Sequence, residues 1–335
     1  MNNNIIILGI ETSCDETAAA VTVDGRKILS NIIFSQIPIH QQFGGVVPEI
    51  ASRHHVRRIL PVIDEALRVA AVPLSRLDAV AVTYGPGLAG ALLVGVAAAK
   101  GLAFALNRPL LGVNHLEGHI YAGFINHPEL EPPFVALVVS GGHTAILYVP
   151  AYNRFELLGR TRDDAAGEAF DKIARVLELP YPGGPELEKL ARLGNPASIA
   201  FPRALKEDLF NFSFSGLKSA VINYLHNKRQ NGEPTDKGDV AASFQAAVID
   251  MLTGRAANAL QARDTTKLVL AGGVAANAEL RKSLTQITAR LYCPEPALCT
   301  DNAAMIACRA YYLYKEGLYS NLSINAVPSL SLGEE

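Results

Sequence analysis

The chain has 335 residues, 49% hydrophobic and 19% charged, with a formal net charge of −2. That composition supports a sizeable core and two domains, and its bulk charge does not mark a nucleic-acid binder. The best candidate for a local basic patch is "SRHHVRR" (52–58), whose charges serve at least as well as a solvated helix face.

In chain order, "MNNNIIILG" lacks a basic region and holds only four apolar residues in a row, so it is not read as a signal peptide. "IIILGIET" (5–12) is an apolar, β-branched run and predicts a buried strand. "SCDE" makes a turn, "TAAAVTV" a second strand, "DG" (24–25) a hairpin turn and "RKILSNIIF" a third strand. "VRRILPVIDEAL" then places Val56, Ile59, Leu60, Ile63 and Leu67 at helical spacing, with Pro61 as a kink or restart. "DAVAVTYGPG" is a strand running into a glycine turn. The apolar stretch 87–106, rich in small residues and broken by Lys100, predicts a buried helix and not a membrane span. "PLLGVNH" is another strand.

"HPELEPP" (127–133) and "NGEPTDKGD" (231–239) are exposed connections, the first a domain boundary. The opening pattern then returns: "FVALVVSG" is a strand, "GGH" a tight turn, "TAILYVP" and "RFELLGRT" further strands. Thr17 and Thr144 hold matching places after the two turns, which makes this an internal repeat. "KLVLAGGVAANAELRKSL" (267–284) is a third strand, glycine turn and helix. The four cysteines (14, 293, 299 and 308) form no C-x-x-C pair, as in a reduced cytosolic chain with free thiols.

Within "GVNHLEGHIYAG" (112–123), His115 and His119 fall about 40° apart on one helical face. That spacing offers two imidazoles to one ion, which needs a third ligand from elsewhere, but it equally fits a packed histidine pair. Glu117 lies about 200° round from His115, which separates the stretch from an H-E-x-x-H protease motif. Three polar turns stand at strand ends: "ETSCDET" (11–17), "VSGGHT" (139–144) and "LAGGVAAN" (270–277). Glycine there lets backbone N–H groups approach an anion, as for a nucleotide phosphate held between two halves.

The succession of meander, glycine turn, second meander and "AGGVAAN" resembles the actin, heat-shock chaperone and sugar-kinase ATPase superfamily. "GIETSCDET", "GGVVPEIASR", "YGPGLAGALLVG", "NHLEGH", "LVVSGGHT", "DDAAGEAFDK", "YPGGP", "FSFSGLK", "AGGVAAN" and "CTDNAAMIA", in this order, resemble the bacterial TsaD family. That family comprises tRNA adenosine threonylcarbamoyltransferases related to archaeal and eukaryotic Kae-type proteins. The match runs from about residue 5 to about residue 310.

The resemblance implies an α/β fold of duplicated actin-like (ribonuclease H-like) domains with mixed sheets flanked by helices. Residues 1–128 plus about 305–335 would form the first domain, 129–304 the second, with the active site in the cleft between them. It also implies that His115, His119 and Asp301 hold one divalent metal, Fe(II) or Zn(II), with positions left open for substrate oxygens. Val138, Val139, Ser140, Gly141 and Gly142 would approach the adenylate through backbone groups. Asp171 and Gly184 match ribose-contacting positions, and Asn277 a nucleotide-contacting one. Glu188 stands where some relatives have aspartate, and its longer carboxylate could reach the same hydroxyl.

The implied reaction moves threonylcarbamoyl from threonylcarbamoyl-AMP to the exocyclic amine of the adenosine 3′ of the anticodon, in tRNAs reading ANN codons, releasing AMP. Asp15 and Glu16 are the carboxylates placed to take the amine's proton. Implied partners are the tRNA anticodon loop, a TsaB-like paralogue and a TsaE-like ATPase, in the cytoplasm and away from membrane. The rival readings are an ATPase or small-molecule kinase or carbamoyltransferase on the same fold, a metalloprotease, and a non-catalytic scaffold.

Overall fold

The structure is a computed structural model that describes residues 4–204 and 208–332. Residues 1–3, the start of "MNNNIIILG", and residues 205–207 and 333–335 lie outside the described residues. The chain divides into two compact units. Unit 1 comprises Met1–Glu131, Tyr152–Arg154 and Pro294–Glu335, and unit 2 comprises Pro132–Ala151 and Phe155–Cys293. The first division falls within "HPELEPP". The return to unit 1 comes at residue 294 rather than near 305, which puts Asp301 in unit 1.

In chain order, unit 1 begins with β1 (Ile6–Glu11), β2 (Glu16–Val23), β3 (Lys27–Ser35), α1 (Ile37–His40), α2 (Pro48–Ala70), β4 (Ala79–Gly85), α3 (Ala89–Leu106), β5 (Leu110–Asn114) and α4 (His115–Asn126). Unit 2 holds β6 (Phe134–Val139), β7 (Thr144–Ala151), β8 (Arg154–Arg160), α5 (Ala166–Val176), α6 (Gly183–Ala191), α7 (Ser215–Gln230), α8 (Lys237–Ala262), β9 (Lys267–Ala271), α9 (Ala278–Thr285) and β10 (Arg290–Tyr292). The chain then adds α10 (Pro296–Cys299) and α11 (Ala303–Lys315) to unit 1.

The repeat seen in the sequence is a repeat of topology. The unit 1 sheet runs β3-β2-β1-β4-β5 and the unit 2 sheet runs β10-β9-β6-β7-β8, the same order read from the opposite edge. In each, the first strand pairs antiparallel with the second and parallel with the strand that follows later. The expected "DG" turn joins β2 to β3 through Asp24, Gly25 and Arg26, with Asp24 and Gly25 both at positive φ, 52° and 71°, and Arg26 N–H donating to the Val23 carbonyl at 3.3 Å.

Alternation along β1 sorts its side chains to two helical layers. Leu8 and Ile10 pack with Ile59, Val62 and Ile63 of α2 and Val96 and Ala99 of α3. Ile7 packs on the other face with Ala122 of α4 and Met305, Ile306 and Ala307 of α11. Gly9 lies under α11. A Cβ there would meet the Ala303 carbonyl oxygen at 2.4 Å and the Ala307 Cβ at 2.9 Å. Absence of a side chain at Gly9 thus lets the start of α11 rest against the sheet.

Two helices differ from expectation. Helix α2 starts eight residues before the predicted segment, and its buried stripe is Ala51, His55, Ile59, Val62, Ile63 and Ala66. Val56 and Leu60 are instead exposed, 65% and 66%. A stripe that includes alanine and histidine was invisible to a count of large apolar residues. Pro61 neither breaks nor restarts the helix. It stands on the exposed side, where its missing N–H deprives only a solvent-facing carbonyl. Helix α3 buries one face, through Ala91, Leu92, Gly95, Val96, Ala99 and Ala103. The sequence predicts a buried helix, and the burial is confined to this face. By length and composition it could cross a membrane, but a third of it is packed inside the protein and Phe104 is 76% exposed. None of the four cysteines is in a disulfide.

Candidate metal centre and donor-binding turns

The two histidines stand where β5 turns into α4. Asn114 caps this helix by accepting the Leu116 N–H at 2.9 Å, so His115 is its first residue and His119 lies one turn on. Asp301 stands just before α11, in a turn shaped by Asn302. The Asn302 Oδ1 caps Met305 N at 3.0 Å, and its Nδ2 donates to the Leu298 and Thr300 carbonyls. Two capped helix starts, packed against each other in unit 1, thereby bring the three predicted ligands together.

The Nε2 atoms of His115 and His119 lie 3.5 and 3.2 Å from Asp301 Oδ1, and all three ligand atoms fall within 4.8 Å of one another. The two rings meet edge to face at 4.6 Å. His119 is 1% exposed, and neither ring nitrogen makes a hydrogen bond. Burying a ring whose Nδ1 has no hydrogen bond and whose Nε2 faces only the Asp301 carboxylate is costly. A cation between these donors would satisfy it, and a set of two imidazoles and one carboxylate suits a divalent transition metal. The residues therefore fit the implied metal.

His115 has a second partner that the sequence reading missed. Its Nδ1 faces Glu11 Oε2 at 3.0 Å, with Ser13 Oγ at 3.2 Å. Glu11 is itself fully buried and receives Thr83 Oγ1 at 2.6 Å and Ser13 N at 2.5 Å. A usable signal was present: a carboxylate ending a strand in which every residue is buried must find partners inside the protein. Burial disfavours charge on His115, but the Asp301 and Glu11 carboxylates hold it up at about 9. Burial also works against charge on Glu11, yet His115 beside it keeps it below the ordinary carboxylate range. His119, with burial dominant, is pulled below its usual value.

Glu117 behaves as its helical angle required. It turns away from the histidines to pair with Arg309 Nε of α11 at 2.7 Å, both side chains buried. It is thus committed to joining two helices, which leaves no glutamate in the place a protease motif would need.

Asp15 and Glu16 occupy the turn between β1 and β2. Burial and then the charge of Asp301 raise the Asp15 carboxyl above its usual range. Glu16 accepts from Ser35 Oγ at 2.8 Å, and burial pushes it up to about 8. The turn is pinned by a residue first counted in the basic patch. His55 of α2 is buried, with Nε2 2.8 Å from the Cys14 carbonyl oxygen and Nδ1 2.8 Å from Thr17 Oγ1. Of "SRHHVRR", Arg53, Arg57 and Arg58 do face solvent.

In unit 2 the predicted turns converge. Thr144 Oγ1 accepts from Ala166 N at 2.9 Å and ties the start of β7 to the start of α5. Gly167 and Gly272 close on the carbonyls of this turn. A Cβ at Gly167 would meet the Ser140 oxygen at 2.5 Å, and one at Gly272, whose φ is +91°, the Val139 oxygen at 2.5 Å. Gly141 and Gly142 are exposed, and a Cβ on either would meet nothing. Val138 is buried in β6, so only its backbone can serve a ligand.

Asp171 Oδ1 accepts from Gly183 N and Gly184 N at 2.8 and 3.2 Å, which fixes the "YPGG" turn at the start of α6. Asn277 caps α9 through Leu280 N and donates to Gln245 Oε1, so its amide is engaged at both ends. Glu188 accepts from Ala278 N at 3.2 Å and from Arg192 at 2.7 Å, which places it beside Asn277.

The TsaD family model, described as tRNA N6-adenosine threonylcarbamoyltransferase, matches residues 27–308. The chain is 60% identical over 331 residues to the tRNA N6-adenosine threonylcarbamoyltransferase of Moorella thermoacetica, covering 97% of each chain. It is 57% identical over 337 residues to that of Clostridium perfringens, covering 99% of each. Among solved structures it is similar to component A of the (R)-2-hydroxyglutaryl-CoA dehydratase of Acidaminococcus fermentans, with TM-score 0.56 and 18% identity over 94% of this chain and 99% of that one. It is also similar to HypF of T. kodakarensis, with TM-score 0.63 and 16% identity over 94% and 48%. These likenesses concern the fold, which is the duplicated actin-like one with mixed sheets flanked by helices. Matched through most of its length by the family model, and more than half identical to such relatives from end to end, the chain belongs to the TsaD family of tRNA N6-adenosine threonylcarbamoyltransferases.

Proposed function

We propose that this protein transfers the threonylcarbamoyl group of threonylcarbamoyl-AMP to the N6 amine of the adenosine 3′ of the anticodon, in tRNAs reading ANN codons, with release of AMP. The observation that carries the proposal is family membership across nearly the whole chain, in a protein whose two buried histidines converge with Asp301.

His115, His119 and Asp301 would hold one divalent metal, Fe(II) or Zn(II). When bound, such an ion supplies Lewis-acid polarisation of donor oxygens and offsets developing negative charge. The protein's own groups do the rest. The turn Val138–Gly142 presents backbone to the adenylate, and the exposed, unobstructed Gly141 and Gly142 let it approach closely. Asp171 holds the Gly183–Gly184 turn for the ribose. Asn277 and Glu188 shape the edge where the nucleotide would rest. Asp15 is the residue we assign to take the amine's proton, since burial and Asp301 raise its affinity for a proton. Glu16 stands next to it as the alternative carboxylate. Recognition of an exposed anticodon loop can rest on a splayed base, so a near-neutral protein suffices.

Partners of this reading are the tRNA, a TsaB-like paralogue and a TsaE-like ATPase, and the site of action is the cytoplasm. The decisive measurement is AMP formation from threonylcarbamoyl-AMP with and without substrate tRNA. Release that requires both supports the assignment. Nucleotide hydrolysis indifferent to tRNA would replace it with the ATPase reading.

A further inference from the structure

We infer that Glu11 is a positioning residue for the metal centre: it holds the proton of His115 on Nδ1 and so reserves Nε2 for the ion. The inference rests on the metal-binding reading above.

An ionised carboxylate only accepts. Glu11 Oε2 faces His115 Nδ1 at 3.0 Å, so the shared proton belongs to Nδ1, and Nε2 is the nitrogen directed to Asp301. Glu11 cannot drift from this task. Ser13 N–H holds Oε1 and Thr83 Oγ1 holds Oε2, and the side chain is fully buried at the end of β1. The chain is thus Thr83 and Ser13 to Glu11, Glu11 to His115, His115 to the ion. His119, by contrast, has no hydrogen bond on Nδ1. Of the two imidazoles, His115 is the oriented one.

Replacing Glu11 by Gln tests this with little change of shape. An amide has one acceptor and one donor end. If the NH2 group faces Ser13 N–H, two donors oppose each other in a buried site. If it faces His115, Nδ1 must accept, and the ring proton moves to Nε2, which then cannot bind metal. Either arrangement penalises the metal-bound state.

The probe is Zn(II), titrated in competition with a chromophoric chelator, alongside the Tm of the metal-free protein. Glu11→Gln should weaken Zn(II) binding by about 10–100-fold, the usual effect of losing a carboxylate behind a ligating histidine. With ¹⁵N-histidine labelling, Zn(II)-loaded wild type should show a protected Nδ1–H resonance that Glu11→Gln lacks. Should Glu11→Gln fail to fold, Thr83→Val removes one tether of Glu11 and should weaken Zn(II) binding several-fold. Folded Glu11→Gln, or Thr83→Val in its place, binding Zn(II) as tightly as wild type would overturn the inference. So would a fall in Tm with no change in affinity, the mark of a purely structural role. Wild-type protein that takes up no Zn(II) defeats the metal reading instead, which separates the two failures.

Discussion

Gly9 offers the sharpest test of how the fold builds the centre. It lies in β1 beneath the first turn of α11, and Asp301 precedes that turn by two residues. In Gly9→Ala the new Cβ would stand 2.4 Å from the Ala303 carbonyl oxygen and 2.9 Å from the Ala307 Cβ. Ordinary contact needs about 3.4 Å, so the start of α11 must lift by about 1 Å or the strand must yield. Overpacking of this kind costs about 1–3 kcal/mol, against which Ala in a strand recovers about 0.5–1 kcal/mol relative to Gly. Net destabilisation of about 1–2 kcal/mol lowers Tm by several degrees at about 2–4 °C per kcal/mol. The effect on metal should be larger. Ligand distances in metal sites tolerate about 0.2 Å, and a carboxylate carried about 1 Å with its helix exceeds that several times over. Differential scanning fluorimetry with Zn(II) titration measures both quantities. A Gly9→Ala protein with wild-type Tm and wild-type affinity would refute the close approach of α11 to the sheet.

Three further outcomes are expected. Arg309→Met leaves Glu117 buried without its partner and should cost about 3–5 kcal/mol in urea unfolding, whereas replacing both residues by apolar ones of similar size should recover most of it. Leu92→Ala on the buried side of α3 should cost about 2–5 kcal/mol and Phe104→Ser on its exposed side less than about 0.5 kcal/mol, so equal effects would refute one-sided burial. Glu16 titrates near 8 in the folded chain through burial, against its usual 4.5, so the folded protein keeps this proton over a window in which the unfolded chain has lost it. Stability of the metal-free protein should therefore fall as pH rises from about 4.5 to about 8. Glu16→Gln should flatten that slope, and parallel wild-type and variant profiles would refute it.

The sequence disclosed the repeat because a meander of short, β-branched strands leaves its alternation and turn residues in plain view, "DG" above all. It disclosed the histidine pair because helical spacing is fixed. Asp301 was reachable only through resemblance, since 182 residues separate it from His119 and no spacing rule spans that gap. Glu11 was missed because it looks like the end of an apolar strand, and its partners, Ser13, Thr83 and His115, meet only once β1, β4 and α4 are side by side. The inner face of α2 was misjudged for a related reason. Its stripe is completed by Ala51, His55 and Ala66, and His55 is buried because it holds the Cys14 carbonyl and Thr17. Where burial is driven by apolar bulk, pattern finds it; where a polar side chain is buried to hold a turn, only the assembled neighbours reveal it.

The placing of the ligands at two helix starts has an electrostatic consequence. The amino ends of α4 and α11 carry partial positive charge, which disfavours a cation by about 0.3–1 kcal/mol each. The site answers with carboxylates. Asp301 faces both imidazoles, Glu11 stands behind one of them, and Asp15 is near enough for Asp301 to raise its pKa. Asn114 and Asn302 add to this by turning one N–H of each helix start toward a side-chain oxygen. The same helix ends that resist a bare cation favour an anion beside it. A centre built this way is matched to a cation bearing an anionic ligand. A hydrolase site of the H-E-x-x-H kind would need its glutamate directly after His115, where this chain has Leu116, and Glu117, one residue further on, is given to Arg309.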